Sequence, residues 1–395
     1  MPDAIVWVVM LLPIAAASGW WARARAERQR TEGTSANTNL QNDYLQGIRH
    51  LVNNDANRAI ETFSRVLEVD DETVETHLAL GDLFRRQGDI DRALRLHQNL
   101  VARPNLAKSH RDQARFELAQ DYLRAGVLDR AEDLFNELAA HPEHADRSLA
   151  GLLTIHEQTR EWAHASDVAE RLARLREVSL RPAIAQYFCE LACERLEHAD
   201  DAGARAALRR AEQASRDCAR TSLIEGAWLA ARDEHRHAIR AYRRVLSQDI
   251  AFAAEILEPV SHCYDALSDQ AGLLKFLDWF IDRASIPLAH VAKAKTLDSA
   301  GRTDEAIAHL SRYLQTEASW RAFSCLLELS AADPRTRLSG PLDSLRASLT
   351  HIIARAPTHR CGHCGFASRY LHWQCPSCRQ WNRMTPIDDI RPDAQ

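Results

Sequence analysis

The stretch Leu118-Ala119-Gln120-Asp121-Tyr122-Leu123-Arg124-Ala125-Gly126-Val127-Leu128-Asp129-Arg130-Ala131-Glu132-Asp133-Leu134-Phe135-Asn136-Glu137-Leu138 decides the fold of most of this chain. Two short helices fit it, joined at Gly126. In the first, the small Ala119 lies where the helices cross and the aromatic Tyr122 follows one turn on; in the second, Ala131 and Phe135 repeat the arrangement. Small residues at a crossing let two helix axes approach, and the flanking rings fill the space on either side. One such hairpin cannot bury its apolar face alone, so it requires neighbours of the same kind.

The chain supplies them. The small second-helix residue recurs as Ala59, Ala93, Ala131, Ala165, Ala204, Ala238, Gly272 and Ala306, at steps of 34, 38, 34, 39, 34, 34 and 34 residues. Twelve positions earlier stand Gly47, Gly81, Ala119, Leu153, Ala192, Gly226, Val260 and Ala294, and four positions later Phe63, His97, Phe135, Ala169, Leu208, Tyr242, Phe276 and Leu310. A generic helical bundle has no reason to keep such a step. The pattern resembles the tetratricopeptide family and predicts an all-α superhelical solenoid of eight hairpins. The longer steps place insertions around Pro104–Arg111 and Val178–Pro182. Because first helices line the concave side of such a solenoid, Asp82, Arg85, Arg86, Gln120, Leu123 and Arg124, offset one, four and five residues from the crossing, are the candidate partner-binding positions. Past Ala306 the register fades. Trp320–Leu329 reads as a last first helix and Asp343–Ile353 as a capping helix behind the breaks at Pro334 and Pro341.

The balance of 50 basic to 55 acidic residues in a chain of 395 gives no polycationic signature, so nucleic acid is not expected as a partner. From Ala4 to Ala22 there is no charge, and Ile5, Val6, Val8, Val9, Leu11, Leu12 and Ile14 make the run strongly apolar. At about 1.5 Å per residue it reaches across a hydrocarbon core of ~30 Å, with Trp7, Trp20 and Trp21 towards its ends, where tryptophan favours the interface. A cleaved signal peptide needs its positive charges before the apolar run, whereas here Asp3 precedes it and Arg23, Arg25, Arg28 and Arg30 follow. The reading is therefore a single-pass anchor with the arginine side, and nearly all of the chain, in the cytoplasm.

Of nine cysteines, Cys189, Cys193, Cys218, Cys263 and Cys325 are scattered at apolar helix positions, where a free thiol acts as a small hydrophobe. The other four form Cys361-Gly-His-Cys364-Gly365 and, ten residues on, Cys375-Pro-Ser-Cys378. Two CxxC pairs present four thiolates to one ion and fill a tetrahedral site, which is structural when closed. Two disulfides are the alternative, and a chain facing the cytosol disfavours them. The spacing resembles a shortened rubredoxin-type or zinc-ribbon knuckle, with Phe366, Tyr370, Trp373 and Trp381 as its expected aromatic core; zinc and iron both suit the ligands. No phosphate-binding glycine loop, GxSxG or HExxH occurs, and the chain is not expected to be an enzyme. The expected organisation is an anchor (1–22), a basic segment and tether (23–42), the repeats (43–317), terminal helices (318–356), the knuckle (357–384) and a flexible tail (385–395).

Anchor, repeats and knuckle together resemble the lipopolysaccharide assembly protein B family. The resemblance rests on Leu11-Leu12-Pro13-Ile14-Ala15-Ala16-Ala17, on Thr76-His77-Leu78-Ala79-Leu80-Gly81-Asp82-Leu83-Phe84-Arg85, and on Asp129-Arg130-Ala131-Glu132-Asp133-Leu134-Phe135. It continues in Tyr187-Phe188-Cys189-Glu190-Leu191-Ala192 and most specifically in Tyr370-Leu371-His372-Trp373-Gln374-Cys375-Pro376-Ser377-Cys378-Arg379. It implies an inner-membrane adaptor of Gram-negative bacteria that connects the membrane protease FtsH to the deacetylase committing precursor to lipid A, with other lipopolysaccharide synthesis or regulatory membrane proteins as further partners. It also implies that Cys361, Cys364, Cys375 and Cys378 are the metal ligands.

Overall fold

The structure, a computed structural model, describes residues 49, 74–332 and 340–387. The apolar run, the tether and the first expected hairpin lie outside the described residues, as does most of the expected tail; no helix among the described residues is long and apolar enough to cross a membrane. Seven helical hairpins follow one another: α1 (Val74–Arg86) with α2 (Ile90–Val101), α3 (Lys108–Ala125) with α4 (Leu128–Leu138), α5 (Pro142–Thr159) with α6 (Trp162–Arg176), and α7 (Arg181–Glu197) with α8 (Asp201–Ala214). Then come α9 (Ala219–Ala230) with α10 (His235–Gln248), α11 (Leu257–Ala266) with α12 (Gln270–Ile281), and α13 (Pro287–Ser299) with α14 (Thr303–Thr316). Helices α15 (Trp320–Ala332) and α16 (Gly340–Arg355) follow the last hairpin. The chain forms two compact units, 1–155 and 156–395.

Each hairpin turns through one residue in the left-handed region, two positions before its second helix. Glycine fills it at Gly88, Gly126 and Gly301, but Arg160, Ala199, Asp233 and Ser268 take the same conformation. That residue corrects the register of the sixth described hairpin. Counting five positions on from Ser268 gives Leu273, not Gly272, as the crossing residue, and Leu273 is buried. Gly272 instead donates its N–H to the Asp269 side chain at the start of α12, as Gly203 does to Asp200 in α8. Both glycines sit in the first turn of their helices, where an Asp cap leaves no room for a side chain.

A second departure is the entry to that hairpin. The expected single first helix is split into a 3-10 segment, Ile250–Ile256, and α11. Pro259 cannot donate to the Glu255 carbonyl and its ring crowds that carbonyl, so a continuous α-helix through this stretch is unavailable.

In the unit 1–155, the core is built from Phe84, Phe116, Phe135 and Leu138 around Ala93, Ala119 and Ala131. Arg85, expected in a partner groove, is committed inside the fold. Its guanidinium bonds Asp82 (2.6 Å), Glu117 (2.6 Å) and Asp121 (2.8 Å), and the second Asp121 oxygen meets the buried His97 ring. A charge this buried is tolerated when its hydrogen bonds are satisfied. Asp82 also pairs with Arg86; Arg86 and Arg124 are exposed, and Gln120 and Leu123 are half-buried.

In the unit 156–395 the largest core runs from α9 to α13 and includes Tyr242, Val245, Ile256, Val260, Leu277 and Phe280. Cys263 and Cys325 are buried among apolar neighbours, and burial pushes their thiols up, Cys325 to about 11, in keeping with their reading as small hydrophobes. In this unit the helices approach closely at Gly226, where a Cβ would stand 2.5 Å from the Tyr242 ring. Gly226→Ala is therefore expected to force that ring or the helix apart at a cost of about 1–3 kcal/mol, lowering the thermal midpoint by several degrees. A midpoint unchanged in a melting experiment would show that the crossing has slack.

Candidate metal centre and its docking face

The knuckle is a three-stranded antiparallel sheet in the order β2-β1-β3, with β1 at His359–Cys361, β2 at Ala367–Ser368 and β3 at Met384–Pro386. Strand β3 thus carries the knuckle past the boundary expected at residue 384. Each CxxC pair is closed by the same turn. Gly365 (φ +78°) returns its N–H to the Cys361 carbonyl at 3.0 Å, and Arg379 (φ +57°) does so to Cys375 at 2.8 Å.

The turns bring four sulfurs together. Cys361 and Cys378 Sγ are 3.7 Å apart, Cys364 and Cys375 Sγ likewise 3.7 Å, and all four lie within 4.8 Å of one another. A disulfide needs about 2.05 Å. A tetrahedron with metal–sulfur bonds of about 2.3 Å has an edge of about 3.8 Å, so the cage has the size of one ion. The Phe366 amide bonded to the Cys364 sulfur brings that thiol down to about 6, which makes a thiolate available at neutral pH. At Cys378 the Gln380 amide pulls the same way, but the crowded Cys375, Cys364 and Cys361 sulfurs outweigh it and push that thiol up to about 12. A bound cation replaces the protons such a cluster would otherwise keep. The donor set fits a single zinc or iron ion. Such an ion contributes on the order of 10 kcal/mol to folding a segment with almost no interior of its own.

That interior is Cys361, Cys375 and Met384, with Phe366 and Leu371 against them. The expected aromatic core is corrected here. Tyr370 is 76% exposed, and both tryptophans leave the knuckle for the helical repeats. Trp373 packs on Phe252 of the 3-10 segment (centroids 5.0 Å apart) and under the Arg220 guanidinium of α9 (5.3 Å). Trp381 meets Trp162 and Tyr187 edge-on at 5.9 and 5.6 Å. A sheet of this size cannot enclose three large rings, and because the ion holds the knuckle together the rings are free to face outward.

Hydrogen bonds fix the dock. The Glu157 carboxylate, at the end of α5, accepts from Tyr187 Oη (2.6 Å), Trp381 Nε1 (2.8 Å) and Gln374 Nε2 (3.4 Å). Burial and the Glu157 charge hold the Tyr187 phenol far above its usual range, so it stays a donor. His359 Nε2 meets Glu255 Oε1 at 2.9 Å. Glu157, Tyr187 and Arg220 come from the first helices of three successive hairpins, and Phe252 and Glu255 from the 3-10 segment that opens the fourth, so the knuckle lies against first-helix surface. None of these five was singled out from sequence as a docking residue. The available signal was α7, whose Ile184, Tyr187, Phe188 and Cys189 are apolar on several faces and so require cover on more than one side.

Two outcomes follow. Stripping the metal with a chelator, or Cys375→Ser with Cys378→Ser, is expected to release Trp373 and Trp381 to water and red-shift the tryptophan emission while the helical circular dichroism persists; unshifted emission would mean that the dock holds without the ion. Glu157→Ala leaves the buried Tyr187 hydroxyl and the half-buried Trp381 indole without this acceptor and removes hydrogen bonds to a charge, each about 1.5–3 kcal/mol. It should make residues 340–387 sensitive to protease at unchanged metal content, and equal resistance would count against the clamp.

The family model described as "Rubredoxin metal binding domain" matches residues 359–386, and "Tetratricopeptide repeat" matches 44–107 and 78–148. The chain is 34% identical over 379 residues to lipopolysaccharide assembly protein B of Escherichia coli (strain K12), covering 96% of this chain and 97% of that protein. To the protein of the same name from Haemophilus influenzae it is 32% identical over 394 residues, covering 96% and 98%. Among solved structures, a tetratricopeptide repeat protein from Parabacteroides merdae aligns at 12% identity with a TM-score of 0.32, over 79% of this chain and 98% of that one. With both segments and nearly the full length matched, the chain belongs to the lipopolysaccharide assembly protein B family.

Proposed function

We propose that the protein is a non-enzymatic adaptor of the inner membrane that lowers lipopolysaccharide output by presenting the lipid A pathway deacetylase to the membrane protease FtsH. Family membership supports the pathway. The observation that carries the adaptor reading is the closed four-cysteine site clamped by Trp373, Trp381 and Glu157 to the repeats. Four thiolates fill a tetrahedral ion and leave no position for substrate, so the metal shapes a surface and does not itself perform hydrolysis.

The apolar run Ala4–Ala22 tethers that surface to the membrane with the repeats on the cytoplasmic side, and tethering raises the effective concentration of client at a membrane protease. Within the unit 1–155, the exposed Arg86 and Arg124, with Gln120 and Leu123 beside them in sequence register, are the partner-contact positions; Arg85 and Asp82 act through the internal ion network instead.

The test is the half-life of the deacetylase in cells, comparing intact protein with a Cys375→Ser, Cys378→Ser variant matched for abundance. A longer half-life in the variant is expected. An unchanged half-life would overturn the delivery role of the knuckle and favour a scaffold that gathers envelope-biosynthesis enzymes without promoting their proteolysis.

A further inference from the structure

A second group of metal-ligating side chains lies away from the cysteines. His156, Glu161 and His164 place three donor atoms within 4.8 Å of one another, and among the described residues this is the one such group besides the knuckle. The corner between α5 and α6 builds it. Helix α5 ends at Thr159, Arg160 turns the chain at φ +61°, and the Glu161 N–H returns to the His156 carbonyl at 2.9 Å. His156, on the last turn of α5, and His164, on the first turn of α6, then face the Glu161 carboxylate. Its Oε2 lies 2.9 Å from His156 Nδ1 and 3.3 Å from His164 Nδ1, and the two imidazole rings are 5.3 Å apart.

We infer that this corner is a second metal site, taking a borderline divalent ion of the zinc class through His156 Nδ1, Glu161 Oε2 and His164 Nδ1. Two ligands of a tetrahedral ion with bonds of about 2.0–2.1 Å stand about 3.3 Å apart, so small side-chain adjustments convert the hydrogen-bonded cluster into a coordination shell. The ion takes the Nδ1 positions, and each neutral imidazole changes tautomer so that its proton moves to Nε2. Two nitrogens and one oxygen match zinc, cobalt or nickel better than magnesium or calcium. Glu161 and His164 are exposed, which leaves an entry path and a free position for water, while His156 is buried and fixes one ligand in place.

In the first, second, fifth and seventh described hairpins the position equivalent to His156, three residues past the crossing, holds the buried Phe84, Tyr122, Leu229 and Leu297. In the fourth it holds Arg195, which pairs with Asp200 as His156 does with Glu161, and among the described hairpins only at His156 does a third donor, His164, join the pair. The corner also adjoins the dock: Glu157 follows His156 directly, and Trp162, which meets Trp381, lies between Glu161 and His164. An ion there would tie the end of α5 to the start of α6 where both hold the knuckle. The inference does not depend on the adaptor reading.

The test counts metal on the full-length chain with the cysteine site already loaded, dialysed against increasing free zinc. Wild type is expected to take up a second equivalent. The His164→Ala, Glu161→Gln double variant alters exposed side chains only; it should keep one equivalent with unchanged circular dichroism and melting. A wild type that saturates at one equivalent, or a double variant that still binds two, would overturn the site.

Discussion

A knuckle of fewer than thirty residues cannot both enclose a hydrophobic core and offer an apolar face to a neighbour, because it has too few large side chains for both. The four sulfurs remove that conflict. With the cage at Cys361, Cys364, Cys375 and Cys378 sized for one ion, cohesion comes from coordination, and Trp373 and Trp381 are released to pack outward. Phe366, Leu371 and Met384 suffice as interior. Metal binding and docking would therefore be coupled: a bound ion would fix the two CxxC turns, and Trp373 and Trp381 flank the second of them.

The receptor side meets a matching constraint. A first-helix face normally stays open to ligand, yet here it carries the buried phenol Tyr187, the buried cation Arg220 and the carboxylate Glu157. Each would be costly if left dry and unpaired. Glu157 accepts the Tyr187 hydroxyl and the Trp381 indole on one oxygen, and Arg220 is neutralised by Glu190 at 2.8 Å while its guanidinium carbon lies 5.3 Å over the Trp373 ring. Pro259 contributes indirectly. By breaking the helix it produces the 3-10 segment that sets Phe252 under Trp373 and Glu255 against His359.

Local rules made the hairpins and the cysteine cage readable in advance. A crossing needs a small residue and a turn needs a left-handed one, so a repeat written in alanine, glycine and aromatics shows its period directly. The register slipped at Gly272 because a glycine that makes room for the Asp269 cap looks the same in sequence as one that makes room for a neighbouring helix; the left-handed Ser268 distinguishes them, and serine gives no hint of that conformation. The cysteine spacing specified the cage because both knuckles close locally. The dock was not readable, since Glu157, Tyr187, Arg220 and Phe252 are each about thirty residues apart and belong to different hairpins. A small domain ordinarily buries its own aromatics, which directs Trp373 and Trp381 inward from sequence alone; that expectation fails where an ion supplies the cohesion. Arg85 was misplaced for a related reason: a charge on a first helix reads as solvated unless its partners Glu117 and Asp121, a hairpin later, are recognised as buried.

Because the knuckle occupies first-helix surface in the unit 156–395, a ligand cannot use that surface as it would in a bare tetratricopeptide array. What the unit presents instead is the outer side of the knuckle, with Tyr370 as its most exposed large hydrophobic side chain and the exposed Cys364 on the turn of the cysteine cage. If loss of the ion releases Trp373 and Trp381 from the repeats, a partner reading that side would sense the ion without touching it. Within the adaptor reading, metal loading thus does more than stabilise one small domain. It selects which face the repeats offer, the composite surface when the knuckle is folded or the uncovered pocket of Trp162, Tyr187 and Phe252 when it is not.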